Sequence, residues 1–191
     1  MPDTYSNFEQ LGRKHLPGRD YRILYIPRDS DILVMAPHGG GIEFFTAAVA
    51  QEIAEPDFAF YAFRGIKASG NRILHITSHC FDEPLALQAV SRVRTVLTVH
   101  GMGEKSASCV MVGGLADSLI SSIEKSLSAM GFSVRPPEVQ FSACHPRNLC
   151  NRGQSGKGIQ LELTYRLRKE LKQEPGMMKD FAQCIREGVR S

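Results

Sequence analysis

Short apolar runs that end at glycine or proline alternate along this chain with segments whose apolar residues return every three or four positions. The first run, Asp31-Ile32-Leu33-Val34-Met35-Ala36, stops at Pro37-His38-Gly39-Gly40-Gly41. Such a run fits a strand buried on both faces. Ile42 to Ala54 then predicts a helix, with Phe45, Val49 and Ile53 on one face and Pro56 ending it. Further strands are predicted at Phe58–Phe63, at Ile73–Ile76 as an edge, at Arg94–Val99 and at Ser108–Val112. Asp82 reads as an N-cap before Glu83-Pro84 and a helix running to about Val93. Leu115 to Met130 predicts another helix, with Leu119, Ile123 and Leu127 in register and Gly131 closing it. Asn148 to Gly158 reads as a loop. Gly158 to Tyr165 alternates apolar and polar residues, the period of a half-exposed strand, and residues 175–188 read as a closing helix.

Alternating strands and helices indicate an α/β fold: a three-layer α/β/α domain with a mostly parallel mixed sheet. With 191 residues the chain suits a single domain, 1–191, with residues 1–20 as a loosely packed lead-in. In such sheets ligands bind beyond the carboxyl ends of the strands. Two histidines, His38 and His100, stand at predicted ends of that kind.

The formal charge of +3 is too small an excess to argue for nucleic acid. No apolar run approaches the ~20 residues of a membrane span. The amino terminus lacks the basic start and apolar stretch of a secretory signal. Five cysteines, none in a CxxC pair, are expected to be reduced thiols in a cytoplasm. A monomer without a membrane or nucleic-acid partner is the expectation.

The sharpest chemistry lies in His38-Gly39-Gly40-Gly41-Ile42-Glu43. The glycines permit a tight turn. Glu43 is expected in the first turn of the following helix. One imidazole and one carboxylate then aim at a single point, and His100 adds a second imidazole from another strand end. Two His and one Glu form a known catalytic zinc set that leaves a fourth position open. The competing reading makes His38 a turn residue, Glu43 a helix-start carboxylate and His100 a satisfied buried histidine. His75 and His79 are reserve ligands. Glu162 is either a solvent-facing strand residue or a general base beside a metal site. Arg152, after Asn151, and Arg64, at a strand end, are candidate clamps for a substrate carboxylate.

The same HGGG string occurs in the oxyanion hole of lipases and esterases, whose nucleophile elbow G-x-S-x-G is missing here; Ser155 comes nearest, with Lys157 in place of the second glycine. Gly156-Lys157 fails as a phosphate loop because Gly158 stands where Ser or Thr is required. Cys144-His145 is poor geometry for a thiol nucleophile.

In order, APHGGGIE at 36–43, LHITSHCFDEP at 74–84, TVHGM at 98–102 and NRG followed by GKGIQLELTYRLR from 151 to 168 resemble the poly-γ-glutamate hydrolases of bacteria and their phages. The resemblance implies a zinc-dependent amide hydrolase, one Zn2+ per chain, on a core similar to zinc carboxypeptidases of the carboxypeptidase A type. It implies His38, Glu43 and His100 as ligands, Glu162 as general base and Asn151-Arg152 as a carboxylate-binding pair. The expected substrate is anionic polyglutamate, reached after lysis if the gene is phage-derived. Open alternatives are a small N-acyl amino acid deacylase, a metal-independent serine or cysteine hydrolase, and a non-catalytic module that binds an acidic polymer.

Overall fold

The computed structural model describes residues 3–191. Its strands are β1 (Tyr21–Ile26), β2 (Ile32–Gly40), β3 (Ala59–Gly65), β4 (Thr95–Met102), β5 (Val110–Gly114), β6 (Val134–Arg135) and β7 (Ile159–Thr164). Its helices are α1 (Phe8–Gly12), α2 (Thr46–Ala54), α3 (Pro84–Val90), α4 (Asp117–Ala129), α5 (Tyr165–Gln173) and α6 (Pro175–Gly188). The seven strands form one sheet in the order β1-β3-β2-β4-β7-β5-β6. The central run β3-β2-β4-β7 is parallel, while β1 lies antiparallel to β3 and β5 antiparallel to β7. The sheet is therefore mixed and mostly parallel, as expected.

Alternation along β2 explains the three layers. Val34 and Ala36 pack with Val49 and Ile53 of α2, Ile123 of α4, Leu171 of α5 and Phe181 of α6. Leu33 and Met35, on the opposite face, pack with Leu11 of α1 and Ala86 and Val90 of α3. A strand covered on both faces needs apolar side chains at every position, and Leu33–Ala36 supply them. Fully burying one such side chain stabilises the fold by roughly 1.5–3 kcal/mol.

Several elements depart from the sequence pattern, each for a local reason. β2 continues through the glycines to Gly40, where its pairing with β3 shifts register between Ala36 and Gly39. Gly40 has φ +67, and a Cβ there would run into the Gly65 carbonyl oxygen. α2 begins only at Thr46, because Phe45 takes a left-handed conformation with φ 68. Ile73–Ile76 is not a strand; a single 3-10 turn at Asn71–Leu74 precedes extended chain. α3 is capped by Glu83, whose carboxylate accepts from the N–H groups of Leu85 and Ala86. Asp82 instead accepts from the Phe8 N–H at 2.6 Å.

β7 was expected to be half exposed, yet all six of its residues are buried. At the start of the strand the 3-10 turn Leu149–Arg152 is tied down by Asn148, which donates to Gln160, and by Asn151, which accepts from the Gly158 N–H. The lead-in is anchored at a few points. Of residues 1–20, the first two lie outside the described residues; among the rest Leu11 is fully buried, His15 and Asp20 are buried, Phe8 sits edge-on to Phe63, and most of the others are exposed. No helix among the described residues is long and apolar enough to cross a membrane.

Candidate functional site

β2, β4 and β7 run parallel and side by side, so their carboxyl ends open at one edge of the sheet. His38, His100 and Glu162 all sit near those ends, and His100 and Glu162 are direct cross-strand partners. A cleft of about 860 Å³ opens there, lined by His38, Glu43, His75, His100, Glu162 and Arg168 among others.

Glu43 reaches the cleft from a turn, not from a helix start. Its backbone N–H donates to the His38 carbonyl at 2.8 Å, which folds residues 38–43 into a tight return. Its Oε2 accepts from the Gly101 N–H at 2.9 Å, so β4 fixes the carboxylate. Its Oε1 lies 3.3 Å from His38 Nδ1, and its Oε2 lies 3.8 Å from His100 Nδ1. The two Nδ1 atoms are 3.1 Å apart. His75, held only in reserve at the sequence level, stacks on His38 with ring centroids 4.0 Å apart. Its Nε2 stands 3.8 Å from Glu43 Oε1. His38, Glu43 and His75 each offer a ligand atom within 4.8 Å of the others.

The partners of these rings fix where their protons sit. His38 Nε2 faces the Ile76 carbonyl oxygen at 2.8 Å and so carries the proton, leaving a lone pair on Nδ1. His75 Nδ1 faces the Asp3 carboxylate at 2.6 Å and so also carries its proton, leaving a lone pair on Nε2. His100 Nε2 meets the Ser78 hydroxyl at 3.3 Å. When that nitrogen is the donor, Nδ1 of His100 joins the others. Imidazole lone pairs and a carboxylate then converge with no proton between them. Buried acceptors in that arrangement need either a proton or a cation between them, and imidazole with carboxylate is a zinc donor set. The residues present therefore fit a zinc ion.

Burial favours neutral rings at His100 and His75. Burial first, then the neighbouring His38, lowers His100 to about 3 and His75 to about 4. Burial alone would raise Glu43, but its interactions with His38 and then His100 outweigh it and hold the carboxyl below its ordinary range. Glu162 moves the other way. Burial, and then the charge of Glu43, push it well above the ordinary carboxyl value, against the pull of Arg168 and Gln160. The Gln160 amide donates to Glu162 Oε1 at 3.0 Å and is itself held by the Asn148 amide at 3.1 Å. A divalent cation in the focus would favour the ionised form of Glu162.

The expected carboxylate clamps do not reach this cleft. Arg152 donates to the Phe81 carbonyl at 3.2 Å. It lines a separate depression with Asn7, Cys80 and Arg147. Asn151 is spent on structure: its amide donates to Ala143 and His145 carbonyls and its oxygen accepts from the Gly158 N–H. Arg64 is exposed at the end of β3, next to Gly39, outside the cleft lining. Two other arginines line it instead, Arg72 and Arg168. Arg168 was missed because its helix, α5, was not predicted. Its buried guanidinium donates to the carbonyls of Leu163, Phe44 and Met102 and packs where a side chain on Gly101 would stand. Arg72 is exposed and has no ion pair among the described residues. His79 leaves the cluster; its ring lies 5.2 Å from that of His145 at the cleft rim. Ser155 is exposed and donates to its own loop at Lys157.

Comparison with known proteins places the chain among close relatives. Residues 5–183 match the family model described as poly-gamma-glutamate hydrolase. The chain is 36% identical over 175 residues to the UPF0714 protein YndL of Bacillus subtilis (strain 168), an alignment covering 88% of this chain and 67% of that protein. A zinc-free apo structure of YndL superposes with a TM-score of 0.92 at 30% identity, covering 100% of this chain and 98% of that one. The structure of a bacteriophage poly-gamma-glutamate hydrolase superposes with a TM-score of 0.93 at 31% identity, covering 99% of this chain and 97% of that one. The CwlD amidase of Clostridioides difficile, solved with the GerS lipoprotein, shares the fold alone, with a TM-score of 0.51 at 12% identity over 83% of this chain and 96% of that one.

Proposed function

This chain belongs to the poly-gamma-glutamate hydrolase family, and from that premise we propose that it is a zinc-dependent hydrolase of γ-glutamyl amide bonds in an anionic polyglutamate. The observation that carries this reading is the convergence of acceptor atoms from His38, Glu43 and His100 beside a buried carboxyl, Glu162. His38 Nδ1, His100 Nδ1 and the Glu43 carboxylate are the groups that would hold the metal, with His75 Nε2 adjoining. A zinc ion bound there would supply Lewis acidity toward the scissile carbonyl and bring the pKa of water to about 7.

The protein groups do the remaining work. Glu162 accepts a proton from the attacking water and passes it to the leaving amine. Gln160 fixes the Glu162 carboxyl, so that proton transfer needs little reorganisation. Arg72 and Arg168 give the cleft its positive charge against the carboxylates of the polymer.

Incubation of the purified protein with poly-γ-glutamate, with and without chelator, tests the reading. Chain length should fall, chelation should stop the fall, and added zinc should restore it. Unchanged chain length at full zinc loading would contradict the substrate. Depolymerisation indifferent to chelator would contradict the metal. It would favour instead the contact between Ser78 and His100, the arrangement a metal-independent hydrolase would need.

A further inference from the structure

The stretch His75–Ser78 touches every imidazole of the cluster. It contributes His75 itself, the Ile76 carbonyl accepts from His38, and the Ser78 hydroxyl meets His100. What holds this stretch in place comes from far away in the chain. Asp3 lies 72 residues before His75, and its two oxygens divide the work. Oδ1 accepts from His75 Nδ1 at 2.6 Å. Oδ2 accepts from both the backbone N–H of Thr77, at 2.5 Å, and its hydroxyl, at 2.7 Å. A carboxylate is an acceptor only, so it dictates the tautomer of the ring it faces. Burial would raise the Asp3 carboxyl, but the bonds from Thr77 and His75 outweigh it and keep the group ionised.

We propose that Asp3 is a positioning residue: it locks His75 as the Nδ1–H tautomer, so that the Nε2 lone pair faces Glu43 and becomes a further donor to a cation in the focus. Without that lock an imidazole turned over to the Nε2–H tautomer would point a proton at Glu43, 3.8 Å away, and close that side of the site to a metal. Carboxylates that fix the far nitrogen of a ligating histidine change metal affinity by about 10–100-fold in other sites. The metal half of this inference rests on the zinc reading above; the tautomer half does not.

The test separates the two. Zinc-free protein labelled with 15N at histidine reports each ring's tautomer in long-range 1H–15N spectra. The wild type should show His75 as Nδ1–H. Asp3→Ala should shift that ring toward Nε2–H and weaken zinc binding by about 10–100-fold in a chelator competition. Asp3→Asn keeps an oxygen for His75 without the charge; it should retain the tautomer in part and recover part of the zinc affinity. A folded Asp3→Ala protein with His75 still Nδ1–H and zinc affinity within twofold of wild type overturns the proposal. Should Asp3→Ala fail to fold, an Asp3→Asn protein with unchanged zinc affinity overturns it equally. A wild type that takes up no zinc, but loses the Nδ1–H tautomer in Asp3→Ala, refutes the metal reading and leaves the positioning role intact.

Discussion

His38 and His100, 62 residues apart in sequence, point their Nδ1 atoms at one another across 3.1 Å inside a buried pocket. The Ile76 carbonyl fixes the proton of His38 on the outward nitrogen, so the inward one has a lone pair to share. Either His100 lends its proton inward, or a cation takes the place between them.

Removing either imidazole should therefore remove the metal. His38→Ala and His100→Ala are expected to lose zinc by elemental analysis and to lose activity more than about 100-fold, with the fold retained by circular dichroism. Stoichiometric zinc in both variants would refute their role as ligands.

Glu162→Gln should behave differently. A neutral amide of the same shape cannot accept the proton, so kcat should fall by roughly 10²–10⁴-fold with zinc content unchanged. A kcat near wild type would place the general base elsewhere in the cleft.

Substrate charge is expected to be read by Arg72, which borders the cleft, and not by Arg152, which is bound to Phe81 outside it. Arg72→Ala should raise KM for the polymer about tenfold with kcat largely preserved, an effect that shrinks with added salt. Arg152→Ala should leave KM unchanged. The reverse result would return the carboxylate clamp to the Asn151-Arg152 pair.

Metal-free protein should lose stability as the medium is acidified. His75 and His100 titrate near 6.5 when unfolded but are lowered to about 4 and about 3 in the fold. Between those limits the unfolded chain binds more protons, so stability rises with pH. The contribution is complete above about pH 6.5 and is lost on descent toward pH 4 and then pH 3. Urea melts of the chelated protein should show this slope, and His100→Asn should flatten it by up to about 1.4 kcal/mol per pH unit. An unchanged slope would mean that His100 is not buried as a neutral ring.

Much of this architecture is legible in the chain. Runs such as Leu33–Ala36 and Val96–Val99 announce buried strands, and the spacing of Leu119, Ile123 and Leu127 announces α4. β1 and α5 gave weaker signals. Tyr21–Ile26 borders the sheet with exposed residues at Arg22 and Leu24, and Tyr165–Gln173 is strongly charged with only a narrow apolar stripe. The strand ends at His38 and His100 pointed to the site because parallel sheets gather such ends at one edge. Alternation left Glu162 open between a solvent-facing residue and a general base, and the resemblance favoured the second; its burial is a tertiary event that no local pattern announces. His75 stayed a reserve ligand for the same reason. Its partner is Asp3, and no periodicity links residues 72 positions apart. The Asn151-Arg152 pair shows the opposite failure: a familiar dipeptide whose side chains the fold spends on the Ala143, His145 and Phe81 carbonyls.

The most direct test is a crystal of zinc-soaked protein measured at the zinc absorption edge. The account predicts one anomalous peak bounded by His38 Nδ1, His100 Nδ1 and the Glu43 carboxylate, within reach of His75 Nε2. No peak at that focus, or a peak held by other side chains, would contradict it.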